Sequence, residues 1–120
     1  IYAWAPVQGF SKFGIYEGNG NADGTFVYTG FRPKFLIAKD ADATGGWWIN
    51  PSKTDWHNSD TYYLYGHSTT TESNGPFVDF YSNGFKLRKN DDINNSSTYI
   101  YACWAEAPLT NSNGVPCNAR

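Results

Sequence analysis

The sequence predicts an all-β fold, an antiparallel two-sheet sandwich of about eight strands. Three observations predict it. Aromatic residues make up 18% of the chain, and Tyr, Phe, Trp and Thr suit the half-buried face of a pleated sheet. Twelve Gly and six Pro are spread along the sequence and supply frequent turns. Apolar and polar residues alternate with period two, and no segment holds a helical spacing for three turns. A chain of 120 residues suits one domain with a core of its own.

Taken in order, the candidate strands are residues 1–5, 13–17, 25–31, 34–39, 46–50, 61–65, 77–81, 84–89 and 98–105. Asn19-Gly20 and Asp23-Gly24 punctuate the second and third. Ser82-Asn83-Gly84 leaves so little chain between two strands that a tight hairpin follows, with Asn-Gly supplying the positive φ such turns favour. In the eighth strand Phe85 and Leu87 point inward, while Lys86 and Arg88 point to solvent. The adjacent pair Trp47-Trp48 must divide, one ring to the core and one to solvent or a partner. In the last strand Tyr99, Tyr101 and Cys103 share one face and Ile100, Ala102 and Trp104 the other. Both faces are apolar, so this strand is central or is covered by another subunit. Residues 50–60 and 66–75 read as longer loops, where binding chemistry usually sits.

The opening Ile1-Tyr2-Ala3-Trp4-Ala5 echoes Ile100-Tyr101-Ala102-Cys103-Trp104-Ala105 about one domain length later. The expected organisation is therefore residues 1–8 as the closing strand of a preceding repeat or an N-terminal strand, 9–108 as the sandwich, and 109–120 as a tail. A chain that starts at Ile1 and contains no Met suggests an upstream portion.

Charge narrows the partners. The formal net charge is −2, and the one basic cluster, Lys86, Arg88 and Lys89, is followed at once by Asp91 and Asp92. That is no footprint for nucleic acid. No apolar run reaches the length of a membrane span, and no signal peptide is visible. Cys103 and Cys117 lack the spacing of a zinc site. Cys103 reads as a small core residue, and a Cys103–Cys117 bridge is the alternative for a protein that matures outside the cell.

The loop residues Asp55, Trp56, His57, Asn58 and Asp60, extended by Tyr62, are the candidate ligand site. Trp56 offers a flat apolar platform for a sugar ring, and its polar neighbours can hydrogen-bond hydroxyls. The competing reading has Trp56 plugging the end of the sandwich and the tyrosines alternating in an ordinary strand. Asn19-x-Asn21-x-Asp23-Gly24 and Asp40-x-Asp42-x-Thr44-Gly45 each echo half a calcium loop. Gly30 and Pro51 stand where the closing bidentate carboxylate belongs, so turn chemistry explains both runs. Asp91 and Asp92 are expected to stay solvated in a turn. No metal, cofactor or catalytic pair is expected, because nothing in the spacing of Asp55, Asp60, Glu72 and Asp79 selects two carboxylates.

Longer blocks carry a resemblance. The run Gly-Phe-Ser-Lys-Phe-Gly-Ile-Tyr-Glu-Gly-Asn-Gly at 9–20 resembles the start of a repeat domain in tail-fibre and other virion-structural proteins of tailed bacteriophages of aquatic bacteria, cyanobacteria included. So does Phe-Val-Tyr-Thr-Gly-Phe-Arg-Pro at 26–33, with Phe35, Leu36 and Ile37 behind it. The second half resembles it in Ser-Asn-Gly-Phe-Lys-Leu-Arg at 82–88, Thr-Tyr-Ile-Tyr-Ala at 98–102 and the terminal Asn118-Ala119-Arg120. Residues 54–71 and 113–117 depart from the pattern. The resemblance implies a virion-surface location, a homo-oligomer (a trimer, as in fibres), other virion proteins or a bacterial surface glycan as partners, and no known catalysis. A second, looser similarity is to H-type lectin domains, through Gly30–Pro33, Gly84-Phe85 and Trp104-Ala105. Three functions follow as expectations: a receptor- or glycan-binding fibre domain, a purely architectural virion protein, and a secreted lectin-like protein.

Overall fold

A computed structural model describes residues 1, 3–52, 60–71 and 73–106. The described residues form β1 (Ser11–Glu17), β2 (Phe26–Tyr28), β3 (Pro33–Asp40), β4 (Trp47–Pro51), β5 (Asp60–Tyr65), β6 (Ser73–Tyr81), β7 (Gly84–Leu87) and β8 (Thr98–Ala105). A 3-10 turn, Asp92–Asn94, precedes β8. Every pairing is antiparallel, in the order β1-β8-β3-β4-β5-β6-β7-β2. The ladder folds over at β5, where Leu64 and Tyr65 pair with β4 while Asp60, Tyr62 and Tyr63 pair with β6. The result is a five-stranded sheet, β1-β8-β3-β4-β5, facing the three strands β6-β7-β2. This is the sandwich the sequence predicts.

Aromatic rings fill the space between the sheets. Phe85 of β7 lies edge-on to Tyr16 of β1 at 6.1 Å and to Tyr101 of β8 at 5.5 Å. Tyr16 stacks on Tyr99 at 5.1 Å, and Tyr63 on Phe77 at 4.1 Å. Buried phenols need acceptors, and both central ones find them in the 3-10 turn. Tyr16 donates to the Ile93 carbonyl at 2.9 Å, and Tyr99 to that of Asp92 at 2.6 Å. Trp47 and Trp48 divide as expected, Trp48 to the core and Trp47 outward. β8 lies between β1 and β3, with Tyr99, Tyr101 and Cys103 buried.

Several elements depart from expectation. Residues 1 and 3–5 form no strand. Val7 bridges to Ser11 across a tight turn, but the next residue outward is Pro6, which has no N–H to continue a ladder. Trp4 instead rests on the outer face against Phe13 and Trp104, with ring centroids 6.1 and 6.3 Å apart. β2 stops at Tyr28 because Thr29 bends the chain, its hydroxyl donating to the Phe31 carbonyl at 2.7 Å. β6 starts at Ser73 and takes over the end of the run expected to be loop.

The Ser82-Asn83 hairpin forms, but for a different reason than positive φ, which neither turn residue nor Gly84 adopts. A Cβ on Gly84 would sit 2.1 Å from the Val27 carbonyl oxygen, so glycine lets β2 pair closely with β7. The Asp91–Asp92 region is also more than a solvated turn. Asp92 is half-buried at φ 51, its carboxylate 2.5 Å from Lys89 Nζ, and Ile93 and Asn94 behind it are fully buried.

Candidate interaction face

Strand alternation sends two sets of side chains to opposite sides of the five-stranded sheet. The inward set is the core. Cross-strand register builds the outward set: Ile15 stands opposite Ile100, and Phe13 opposite Ala102. Ala102 in turn faces Ile37, and Trp104 faces Phe35. Ile37 pairs with Ile49, and Ile49 with Leu64. Trp47 closes the row beside Lys39. The outward row Phe13, Ala102, Ile37, Ile49 and Leu64 is thus apolar across all five strands, while in the next row Lys39 stands between Ile100 and Trp47. Among the side chains the structure describes, Glu17, Lys34 and Lys39 are the charged ones on this outward face, and each stands at or near a strand end.

This face is not flat. A groove of about 600 Å³ crosses it, with Ile37, Ile49, Ile100 and Ala102 in its lining and Trp4, Trp47, Phe13 and Trp104 around them. Ala102 deepens it, since a small side chain stands there between Phe13 and Ile37. Trp4 and Ile15 protrude at the rim, each 68% exposed. Exposed apolar area gathered on one face in this way makes this surface the candidate site.

Of the residues singled out from the sequence, Asp55, Trp56, His57 and Asn58 lie outside the described residues. Asp60 and Tyr62 lie in β5, where their backbones pair with Val78 and Asn74, and their side chains are outside the description. Tyr63 turns into the core, and Tyr65 packs edge-on against it at 5.6 Å. The two calcium-like runs are Asx turns. The Asn19 side-chain oxygen accepts the Asn21 amide at 3.0 Å, and that of Asn21 accepts the Asp23 amide at 2.9 Å. Asp40 accepts the amides of Asp42 and Ala43 at 2.8 and 3.1 Å. Asp42 caps the start of β8 by accepting the Thr98 amide at 2.8 Å, which holds its carboxyl below the usual range.

Titratable groups in the core are structural. Cys103 is a free, fully buried thiol, and burial pushes it up to about 12. The other half of the alternative bridge, Cys117, lies outside the described residues. Burial likewise raises Tyr99 and Tyr101 to about 12, and Tyr16 well above its ordinary value. Burial works against the charge on Lys89, but hydrogen bonds to Asp92 and Tyr63 outweigh it and raise its pKa.

Sequence reasoning missed the groove and the role of Asn94. Alternation in β8 signalled the outer face, but joining Trp4, Phe13, Trp47 and Trp104 required the strand order. Asn94 is fully buried, and its amide donates to the Asn19 side chain and to the carbonyls of Asn21 and Lys89 at 2.9, 2.7 and 2.7 Å. Its oxygen accepts the Asn19 amide at 3.2 Å. No sequence pattern marks this hub.

Fold and face together define a β-sandwich domain with one apolar outer sheet surface. The chain matches the family model DUF7483, a domain of unknown function, over residues 1–108, and it belongs to that family. No curated protein and no solved structure matches it.

Proposed function

We propose that this domain is a non-enzymatic structural and binding module of a phage virion, a tail-fibre domain held in a homo-oligomer by its outer sheet face. The observation that carries the reading is the apolar surface running across β1, β8, β3, β4 and β5. Water-exposed apolar area of this extent suits a chain that works inside an assembly. The virion as its setting rests on the tail-fibre-like sequence blocks at 9–20, 26–33, 82–88 and 98–102. The partners this reading implies are other virion proteins or a bacterial surface glycan, with Asp55, Trp56, His57 and Asn58 as the candidates the sequence offers for the glycan.

Antibody against the domain, applied to intact particles and followed by electron microscopy, tests the setting. Label on the fibres supports the fibre reading, label on the capsid supports an architectural decoration, and unlabelled particles overturn the virion reading. Competition of the isolated domain for adsorption to host cells then separates receptor binding from architecture.

A further inference from the structure

We propose that the outer sheet face pairs with the same face of a second copy of this chain, each copy seating its Trp4 in the groove of the other. The inference rests on the assembly reading above and specifies the partner and the contact.

Shape comes first. A twofold contact uses one patch on both subunits, so the patch must carry both a projection and its receptacle. This face has both side by side. Trp4 projects at 68% exposure, held from below by Phe13 and Trp104. Next to it lies the groove of about 600 Å³ that Trp4 walls at one end but leaves open. The small side chain of Ala102 and the Gly66 backbone in the lining leave room for an aromatic ring. A ring held on a rigid platform also loses little freedom when it docks, which favours it as an anchor.

Charge is the second argument. Glu17 and Lys34 stand at or near strand ends, and Lys39, flanked by Ile100 and Trp47, donates to the Asp40 carbonyl at 3.1 Å, so two copies can meet over the row Phe13, Ala102, Ile37, Ile49 and Leu64 without opposing like charges. A partner of different sequence would need no such neutrality. Area is the third. The fractional exposures of Trp4, Ile15, Trp47, Leu64 and Ile100 correspond to on the order of 600 Å² of surface, and the half-buried Phe13, Ile37, Ile49 and Trp104 add to it. A stable interface takes about 800 Å² from each partner, so the face approaches the required size.

A contact of this kind yields a pair of copies, where the tail-fibre resemblance implies a trimer. Sedimentation equilibrium on the full chain, across a concentration series, distinguishes them. The expected result is a monomer–dimer equilibrium that Trp4→Ala weakens by about tenfold or more, as loss of a central aromatic anchor does. Ala102→Trp fills the groove from within and is expected to weaken association equally. Circular dichroism and the melting temperature of both variants verify the fold. Trp4 is exposed and Ala102 points outward, and if either variant misfolds the other decides. A wild-type chain that stays monomeric at about 100 μM overturns the proposal. An oligomer indifferent to a folded variant overturns the Trp4 contact while leaving an assembly through some other surface, and fibre labelling reports separately on the virion reading.

Discussion

Asn94 shows how much one buried polar side chain can organise. It ties the β1–β2 loop, through Asn19 and Asn21, to the segment after β7, through Lys89. Truncation removes four hydrogen bonds at once from part-buried partners. Asn94→Ala should therefore cost about 3 kcal/mol, read as a lower midpoint in urea unfolding. A change of under about 0.5 kcal/mol would show that the loops hold without it. The buried phenols and thiol set the response to alkali. Tyr99 and Tyr101 move from 10.0 to about 12, and Cys103 from 9.0 to about 12. Groups that keep their protons more tightly when folded stabilise the fold fully below the unfolded value, and that stabilisation is lost as pH rises through the folded one. The raised value of Lys89 acts with the same sign. The melting temperature should stay level from neutrality to pH ~9 and fall steadily from there to pH ~12. A melting temperature that rises above pH ~10 would contradict the burial of these groups.

Between strands, the adjacent tryptophans of β4 separate stability from assembly. Trp48 is buried at 8% exposure while Trp47 borders the groove. Trp48→Ala should lose roughly 3–5 kcal/mol of folding stability. The lower end is expected, because the buried indole N–H of Trp48 has no hydrogen-bond partner among the described residues. Trp47→Ala should change unfolding by less than about 1 kcal/mol, and its effect should appear in self-association. Calorimetric melts set beside sedimentation data tell the two apart. At the β7–β2 pairing, Gly84→Ala forces a Cβ to within 2.1 Å of the Val27 carbonyl. The pairing must open, so a loss of about 2 kcal/mol or more is expected, with faster amide exchange across Phe26–Tyr28. Exchange unchanged in β2 would mean that the backbone relaxes elsewhere.

Across the whole molecule, eight strands and one short 3-10 turn among the described residues predict a far-UV circular dichroism spectrum free of helical minima. The two ends of the strand order, β1 and β2, each have one edge that is unpaired among the described residues, and the Thr25 hydroxyl joins them by donating to the Glu17 carbonyl at 2.6 Å. Lys12 adds to that seam by lying 5.6 Å from the centre of the Tyr28 ring. Open edges invite pairing with other chains, and these contacts guard one flank of the sandwich while its outer face stays available.

Alternation and turn chemistry determined much by themselves. They located the strands from 13–17 onward, the position of the Ser82-Asn83 hairpin though not the reason for its glycine, the split of Trp47 from Trp48 and the two apolar faces of β8. These features are local, because side-chain direction in a strand and the backbone needs of a turn depend on residues a few positions apart. The N-terminal segment is different. Ile1–Ala5 has the same alternation as β8, yet its described residues form no strand, since Pro6 breaks the ladder and Trp4 finds apolar surface on Phe13 and Trp104 instead. Asn94 reads as one more Asn in an Asn-rich turn until Asn19 and Asn21, more than seventy residues away, close around it. The groove likewise exists only because the strand order sets β8 between β1 and β3 and brings Trp4, Phe13, Trp47 and Trp104 onto one face. Those contacts depend on which strands become neighbours, and that is decided by burial summed over the whole chain rather than by any one segment.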